Sequence, residues 1–152
     1  MIHVSTTDSL VEDDREAICD ELRRFNVENN GAFFADRELP ANAPRPLYVV
    51  ARDSDGRLLG GLLAETQFTW MKLSIMAVIS AARGRGIGSR LLAAAEAEAF
   101  VRGCRYVYAD TMDYQAPAFY EKLGYVIAGR LEAWDSHGHA KLMFAKRLTR
   151  NG

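Results

Sequence analysis

Two arginines and three glycines share the segment RGRGIG, residues 83–88, directly before a run of helix-forming residues. A loop that binds an anion through its backbone must expose several N–H groups, and glycine lets the chain turn and approach closely because it has no Cβ. The amides of residues 86–89 would lie at the positive end of the helix dipole, and Arg83 and Arg85 would add charged donors. The segment therefore predicts a phosphate-binding turn.

Two common nucleotide-binding patterns do not fit this segment. The mononucleotide pattern Gly-x-x-x-x-Gly-Lys-Ser/Thr is absent, and in the dinucleotide pattern Gly-x-Gly-x-x-Gly the third glycine position holds Leu91. A plain strand-to-helix turn is the structural alternative, although such a turn needs only one glycine. The anion is therefore not assigned by either nucleotide pattern.

Residues 83–88 fit the pattern Arg/Gln-x-x-Gly-x-Gly/Ala and resemble the pyrophosphate motif of the GNAT superfamily of acyl-CoA-dependent N-acyltransferases. A second segment, QAPAFYEKLGYVIAGRL at residues 115–131, resembles the later signature of that family, a helix with a tyrosine followed by Lys-x-Gly-aromatic and a strand. The order and spacing of the elements match the family over about residues 47–148.

The resemblance implies an α/β (α+β) fold, with a mixed, mostly antiparallel central sheet flanked by helices on both faces and splayed between its central strands. In that family the strand that holds Val78 diverges from the strand that holds Ala109, and the opened sheet receives the cofactor. We predict a single GNAT-type N-acetyltransferase domain over residues 1–152.

The resemblance also implies acetyl-CoA as co-substrate and assigns the residues that bind it. The end of the central strand would pair its backbone with the pantetheine arm, and the glycine loop would hold the pyrophosphate. These residues are Met76, Ala77 and Val78 on the strand, and Arg83, Gly84, Gly86, Ile87, Gly88 and Ser89 in the loop.

Tyr120 stands at the position of the family's tyrosine, which points at the thioester sulfur. Transfer of an acyl group from a thioester to an amine requires a neutral amine, a polarised carbonyl and a proton for the departing thiolate. A phenol with a pKa of about 10 can protonate a thiolate whose conjugate acid has a pKa of about 8.5. We predict Tyr120 as the general acid, with a core tyrosine at helical spacing from Leu123 as the alternative.

The general base is not singled out by the sequence. Many members of the family place a glutamate on the central strand, but residues 70–78 contain no carboxylate. Glu65 on the preceding strand and Asp110 at the end of the next strand are the two candidate bases, and His139 or a chain of water molecules is a further alternative. His137 and His139 share a turn with Asp135, but no fourth ligand is evident, so we predict no metal.

Composition limits the partners and the location of the protein. The 19 basic and 20 acidic residues leave a formal net charge of −1, without the basic excess that drives binding to nucleic acid or to acidic membranes. No segment approaches the roughly 18 apolar residues of a spanning helix. Cys19 and Cys104 have no metal-binding spacing and are expected to be reduced and buried, which favours a cytoplasmic location.

The elements that position these residues follow from hydrophobic periodicity, and their predicted order is βαββ, β, α, β, α, ββ. A short strand around Val4 precedes a helix whose Ile18, Leu22 and Phe25 face a sheet, and residues 29–46 form a loop. A hairpin over residues 47–66 and a strand over residues 70–78 lead to the glycine loop. The helix that follows reaches about Arg102 and buries Ile87, Leu91, Ala94, Ala95 and Val101.

The C-terminal part continues with a strand at residues 104–111, a short helix at residues 115–123, and two strands at about residues 125–132 and 139–148. Two functions fit these predictions. The first is an N-acetyltransferase that transfers the acetyl group of acetyl-CoA to a primary amine of a small molecule or peptide, by direct attack on the thioester. The alternative is a non-catalytic acyl-CoA-binding sensor with the same fold. Relatives often pair, so a homodimer is a further expectation.

Overall fold

The computed structural model describes residues 1–150, so the last two residues of the predicted domain lie outside the described residues. The chain divides into two compact units, one that ends at Ala43 and one that begins at Pro44.

The first unit consists mainly of one long helix. Helix α1 spans Glu12–Glu38 and is kinked at Asn30, whose φ of −149° and ψ of 48° are not helical. A 3₁₀ turn, Pro40–Asn42, follows it. Three acidic residues in the first turn of α1 interact favourably with the positive end of the helix dipole.

Several predictions for this unit are wrong. Residues around Val4 form no strand, and the predicted loop at residues 29–46 is helical as far as Glu38. The weak helix formers around Asn30 produce a kink instead of an end, because good helix formers follow them and Pro40 is the first residue that stops the helix.

Within its own unit, the predicted apolar stripe of α1 is not buried. Ile18, Leu22 and Phe25 are exposed, and Cys19, which was expected to be buried, is exposed as well. Helical spacing alone places these side chains on one face, but burial also requires a second element, and this unit contains only α1 and a short 3₁₀ turn.

The second unit contains a six-stranded sheet with two helices, as the resemblance implied. The order of its strands in the sheet is β1-β2-β3-β4-β6-β5, and only the β3–β4 pair is parallel. The mixed, mostly antiparallel fold is therefore confirmed, apart from the missing N-terminal strand. The strands are β1 (Arg45–Arg52), β2 (Leu58–Gln67), β3 (Trp70–Val78), β4 (Tyr106–Met112), β5 (Val126–Leu131) and β6 (Lys141–Arg147), and the helices are α2 (Ile87–Val101) and α3 (Pro117–Lys122).

Strands β3 and β4 pair over only part of their length. The pairing runs from Trp70 opposite Tyr106 to Leu73 opposite Ala109, and β3 then continues to Val78 without β4. The register of β2 with β3 also shifts at this point, because Leu63 lies opposite Ile75 while Ala64 lies opposite Leu73. Ser74 is thus the extra residue of a β-bulge, and the sheet opens directly beyond it.

Helix α2 packs against β1, β2 and β3 and supplies much of the core. Its buried face repeats at four-residue spacing, through Ile87, Leu91, Ala95 and Ala99, so those predicted positions that lie on this line are indeed buried. Ala94 and Val101 were also predicted to be buried, but they lie off this line and are exposed.

Candidate active site

A cavity of about 840 Å³ opens where β3 and β4 diverge. Residues 73–78 of β3 form one side, the loop before α2 and the first turn of α2 form the base, and the end of β4 with α3 forms the other side. Tyr120 and Asp110 both line it. The predicted cofactor-binding residues line it as well, namely Met76, Ala77, Val78, Arg83, Gly84, Gly86, Ile87, Gly88 and Ser89.

The glycine loop leaves the first turn of α2 without a side-chain cap. Gly86 precedes the helix with φ 72° and ψ 9°, and no side chain accepts a hydrogen bond from the first backbone amides of the helix. Gly84 has a φ of 74°, so both residues adopt the left-handed conformation that favours glycine. Uncapped amides at the positive end of a helix dipole are a suitable binding site for a phosphate group, and this loop therefore fits a diphosphate.

The two arginines of the loop have different surroundings. Arg83 Nε donates a hydrogen bond to the carbonyl oxygen of Val78 at 3.1 Å, which ties the loop to the end of β3 while the guanidinium borders the cavity. Arg85 instead lines a second groove with Arg52 and Arg90, and Ile87 is the one cofactor position that this groove shares with the cavity. Of the two arginines in the loop, Arg83 therefore borders the predicted cofactor cavity, and a contact of Arg85 with the phosphates stays a prediction.

Strand β3 presents an edge to the cavity that no strand covers. On its β4 side, pairing ends at Leu73, so the backbone of residues 74–78 borders the cavity. A pantetheine arm carries two amide groups, and an unpaired strand edge can satisfy them by hydrogen bonding as a neighbouring strand would. The close approach of β2 on the other side depends on Gly60, because a Cβ there would lie 2.7 Å from the carbonyl oxygen of Ala77.

Tyr120 lies among aromatic rings at the side of the cavity. Its side chain is 6% exposed. Its ring is stacked on that of Phe144, with centroids 5.3 Å apart, and makes edge contacts with Phe119 at 5.3 Å and Tyr125 at 5.5 Å. Burial, and to a smaller extent the negative charge of Asp110, raises the pKa of Tyr120 above its ordinary value. The phenol is therefore protonated at neutral pH, as a general acid must be.

The two candidate bases lie in different places. Asp110 Oδ2 accepts a hydrogen bond from the hydroxyl of Tyr108 at 3.1 Å, and Asp110 Oδ1 lies 3.0 Å from Lys141 Nζ. Glu65 is exposed on β2 opposite Lys72, about 17 Å along the strand from the position opposite Val78. The structure therefore brings Asp110 to the cavity and leaves Glu65 outside it.

The histidines of the last hairpin do not line the cavity. His139 Nδ1 lies 3.1 Å from Asp113 Oδ1, and the hydrogen bond from the backbone of Ala140 is the main cause that lowers the pKa of Asp113. Asp135 Oδ1 accepts hydrogen bonds from the backbone of His137 and His139, so it stabilises the turn. Within residues 1–150, no three histidine, cysteine, aspartate or glutamate side chains are grouped to hold a metal.

Gln115 is a further residue of the cavity, and neither sequence motif assigns it a role. Its Oε1 accepts hydrogen bonds from the backbone N–H of Met112 at 2.8 Å and from the hydroxyl of Thr111 at 2.7 Å. A backbone N–H can only donate, so the amide oxygen must point toward it and the Nε2 group must point away. Gln115 is the first residue of the second motif, so its place in the sequence could have indicated a role at the site.

Comparisons with known proteins agree with this geometry. The pattern of the acetyltransferase (GNAT) family matches residues 13–125. Blasticidin-S acetyltransferase of Streptomyces morookaense is 40% identical over 114 residues, which cover 72% of this chain and 84% of that protein. In the described part of the chain, no helix is both long and apolar enough to cross a membrane.

Solved structures give the same result. The crystal structure of an acetyltransferase from Bacillus cereus ATCC 14579 has a TM-score of 0.71 and 26% identity, and the match covers 95% of this chain and 98% of that one. An aminoglycoside 6'-N-acetyltransferase complexed with coenzyme A has a TM-score of 0.64 and 26% identity, over 70% of this chain and 75% of that one.

Proposed function

The chain belongs to the acetyltransferase (GNAT) family and is an acetyltransferase that uses acetyl-CoA, and on that premise we propose that its acceptor is a primary amine of a small molecule. One observation carries the part of the proposal that concerns acetyl transfer from acetyl-CoA. A single cavity collects the uncapped start of α2, the uncovered edge of β3 and the buried hydroxyl of Tyr120.

Each part of the cavity has a role in this proposal. The amides of residues 86–89 bind the diphosphate of acetyl-CoA, and the backbone of residues 74–78 pairs with the pantetheine arm. Gln115 directs its amide N–H groups at a ligand carbonyl, because its oxygen is already engaged. These contacts would orient the thioester toward Tyr120.

The chemistry needs two proton transfers. Acetyl-CoA supplies the acetyl group as an activated thioester. Tyr120 donates its phenol proton to the sulfur that leaves as the new amide bond forms. We propose Asp110, which Tyr108 and Lys141 hold in place, as the group that accepts the proton released by the amine. Glu65 is not part of this proposal because it lies outside the cavity.

The acceptor class is inferred from the names of the relatives. Blasticidin-S acetyltransferase and the aminoglycoside acetyltransferase are both named for small molecules that carry amines, which favours a small-molecule acceptor over a peptide. The lack of a carboxylate on residues 70–78 had favoured a non-catalytic acyl-CoA-binding sensor, but the relatives that are named acetyltransferases favour the enzyme. A cytoplasmic location and a homodimer stay predictions.

A turnover assay separates these functions. The purified chain is incubated with acetyl-CoA and a panel of amines that includes blasticidin S, aminoglycosides, polyamines and short peptides, and free thiol release is measured. We expect release with one or more of the small amines. Release with peptides alone would contradict the acceptor class, and coenzyme A binding without release for any amine would favour the sensor.

A further inference from the structure

A buried cluster of polar side chains joins α2 to the segment that follows Tyr120. The cluster consists of Glu96 on α2, Tyr125 just after α3, and Lys146 on β6. The hydroxyl of Tyr125 donates a hydrogen bond to Glu96 Oε1 at 2.7 Å, and Lys146 Nζ donates one to Glu96 Oε2, also at 2.7 Å. Glu96 is only 6% exposed. Its buried charge is tolerated because both oxygens have partners and one partner is a cation.

Tyr125 contacts Tyr120 in two ways. The two rings meet edge to face with centroids 5.5 Å apart, and the backbone N–H of Tyr125 donates a hydrogen bond to the carbonyl oxygen of Tyr120 at 3.1 Å. Burial, followed by the charge of Glu96, raises the pKa of Tyr125 far above its ordinary value. Tyr125 therefore keeps its proton and remains a donor to Glu96 across the working pH range.

Helix α2 contributes to both sites, because its first turn lines the cavity and Glu96 of the cluster lies further along it. Glu96 lies nine residues after Ile87, the first residue of α2, a distance of about 13.5 Å along the helix. The first turn of α2 is the proposed diphosphate site. Glu96 thus connects that turn, through a rigid element and the Tyr125 hydroxyl, to the ring that holds Tyr120 in place.

We propose that Glu96, Tyr125 and Lys146 position Tyr120 relative to the thioester of acetyl-CoA. None of the three lines the cavity, so they act through Tyr120 and are positioning residues. The proposal rests on the proposed role of Tyr120 as general acid. A displacement of about 1 Å at a reacting group can reduce a rate on the order of a hundredfold, so a small shift of the Tyr120 ring would be visible in kcat.

The test is a double-mutant cycle. Tyr125→Phe removes the hydroxyl but keeps the ring against Tyr120, and Glu96→Gln removes the charge that holds Tyr125 and Lys146. We expect either change to lower kcat about tenfold with the KM for acetyl-CoA unchanged. In a Tyr120→Phe background the same changes should have almost no further effect, because the group that they position is gone.

Two controls distinguish positioning from stability. Glu98→Gln makes the same change two residues away on α2, at a glutamate that pairs with Arg102 at 2.7 Å, and should leave kcat unchanged. Leu92→Ala removes a buried side chain of the same helix and should lower the Tm but not kcat well below the Tm. Melting temperatures of all variants show which of them fold. If Tyr125→Phe does not fold, Glu96→Gln is used in its place.

The outcomes are separable. An unchanged kcat in the single variants, or an equal reduction in both backgrounds, overturns the positioning role while the acid role of Tyr120 stands. A Tyr120→Phe enzyme that is as active as the unmodified protein overturns the acid role, and the positioning role fails with it. A reduction confined to the background that retains Tyr120 supports the proposal.

Discussion

At the scale of single residues, the chemistry depends on how the environment of Tyr120 controls its proton. Three aromatic rings enclose the side chain, and Asp110 adds a negative charge nearby. Both effects favour the neutral phenol, since burial penalises the charged form and a like charge opposes ionisation. Tyr120 therefore stays protonated, and can donate its proton, over a wide pH range.

Removal of the Tyr120 hydroxyl tests the acid role directly. We expect Tyr120→Phe to lower kcat by roughly 10²–10⁴ while the Kd for coenzyme A changes little, because the ring and its packing are retained. Steady-state kinetics and calorimetry give the two values. Tyr106→Phe, a change at a tyrosine stacked on Trp70 and outside the cavity, is the control and should have full activity. An unchanged kcat for Tyr120→Phe would exclude this residue from the mechanism.

The charge of Asp110 should be visible in the pH dependence of kcat. The phenol must be protonated to act, so activity falls as the pH rises through the pKa of Tyr120. Asp110 is also the proposed proton acceptor, so Asp110→Asn should lower kcat. Because Asp110 raises the pKa of Tyr120, the alkaline limb of the remaining activity should also move to lower pH. Profiles of both proteins from about pH 7 to 11 provide the comparison. A limb that stays in place, or that moves to higher pH, contradicts the electrostatic coupling.

At the scale of elements, the cavity has two causes. Strand β3 extends beyond its pairing with β4, and helix α2 begins without a side-chain cap. The bulge at Ser74 shifts the alternation of β3 by one residue, so that odd positions face the core before it and even positions face the core after it. Met71 and Leu73 are buried before it, whereas Met76 and Val78 are partly buried after it. A bulge increases the local twist of a strand, and here it accompanies the divergence of β3 from β4.

The left-handed conformation of Gly86 should matter specifically for the cofactor. Gly86→Ala forces a Cβ into a conformation with φ 72°, at a cost of about 1 kcal/mol or more, and disturbs the amides that follow. We expect coenzyme A to bind about tenfold or more weakly by calorimetry. Gly103→Ala is a matched control with φ 98° and open space around the Cβ, just after α2. It should lose similar stability but bind coenzyme A normally.

A substitution at Gly60 on β2 tests the role of the β3 edge from the side that faces away from β4. Gly60→Ala would place a Cβ 2.7 Å from the carbonyl oxygen of Ala77, so the end of β3 must move. We expect a higher KM for acetyl-CoA together with a lower Tm. In Gly61→Ala the new Cβ approaches the carbonyl oxygen of Val49 on β1 at 3.3 Å, so the Tm should fall without a rise in KM. Equal KM values for the two variants would argue against this edge as the pantetheine site.

At the scale of the whole molecule, anion recognition is local. A formal net charge of −1 gives no general attraction for a phosphorylated ligand, so affinity must come from the oriented amides and the guanidinium group of Arg83 at the cavity. The six-stranded sheet supports this arrangement, because β1 and β2 brace β3 on one side while β6 and β5 brace β4 on the other. The divergence of β3 from β4 therefore disturbs few hydrogen bonds between the other strands of the sheet.

Cofactor binding should stabilise the fold measurably. A ligand present at 100 times its Kd stabilises a native protein by about 2.7 kcal/mol, which corresponds to a rise in Tm of about 5–10 °C for a chain of this size. A thermal shift assay with coenzyme A measures this rise. Gly86→Ala at the same ligand concentration should show a smaller shift, and no shift in the unmodified protein would contradict the assignment of the cavity.

The sequence alone was sufficient for the features that depend on short-range signals. Glycines 84 and 86 carry a conformational preference that any anion-binding turn would exploit, and Tyr120 lies in a recognisable short helix that ends just before Gly124. The alternation and periodicity of residues 47–148 also predicted most strands and α2 correctly. Each of these signals is a local preference of the backbone or a repeat within one element.

Only the tertiary structure decided the features that depend on pairing between distant segments. The bulge at Ser74, the choice of Asp110 over Glu65 as a cavity residue, and the contact of Glu96 with Lys146 across 50 positions all depend on register and packing. No local preference encodes these outcomes, because each is set by the neighbours that a residue meets after the chain has folded.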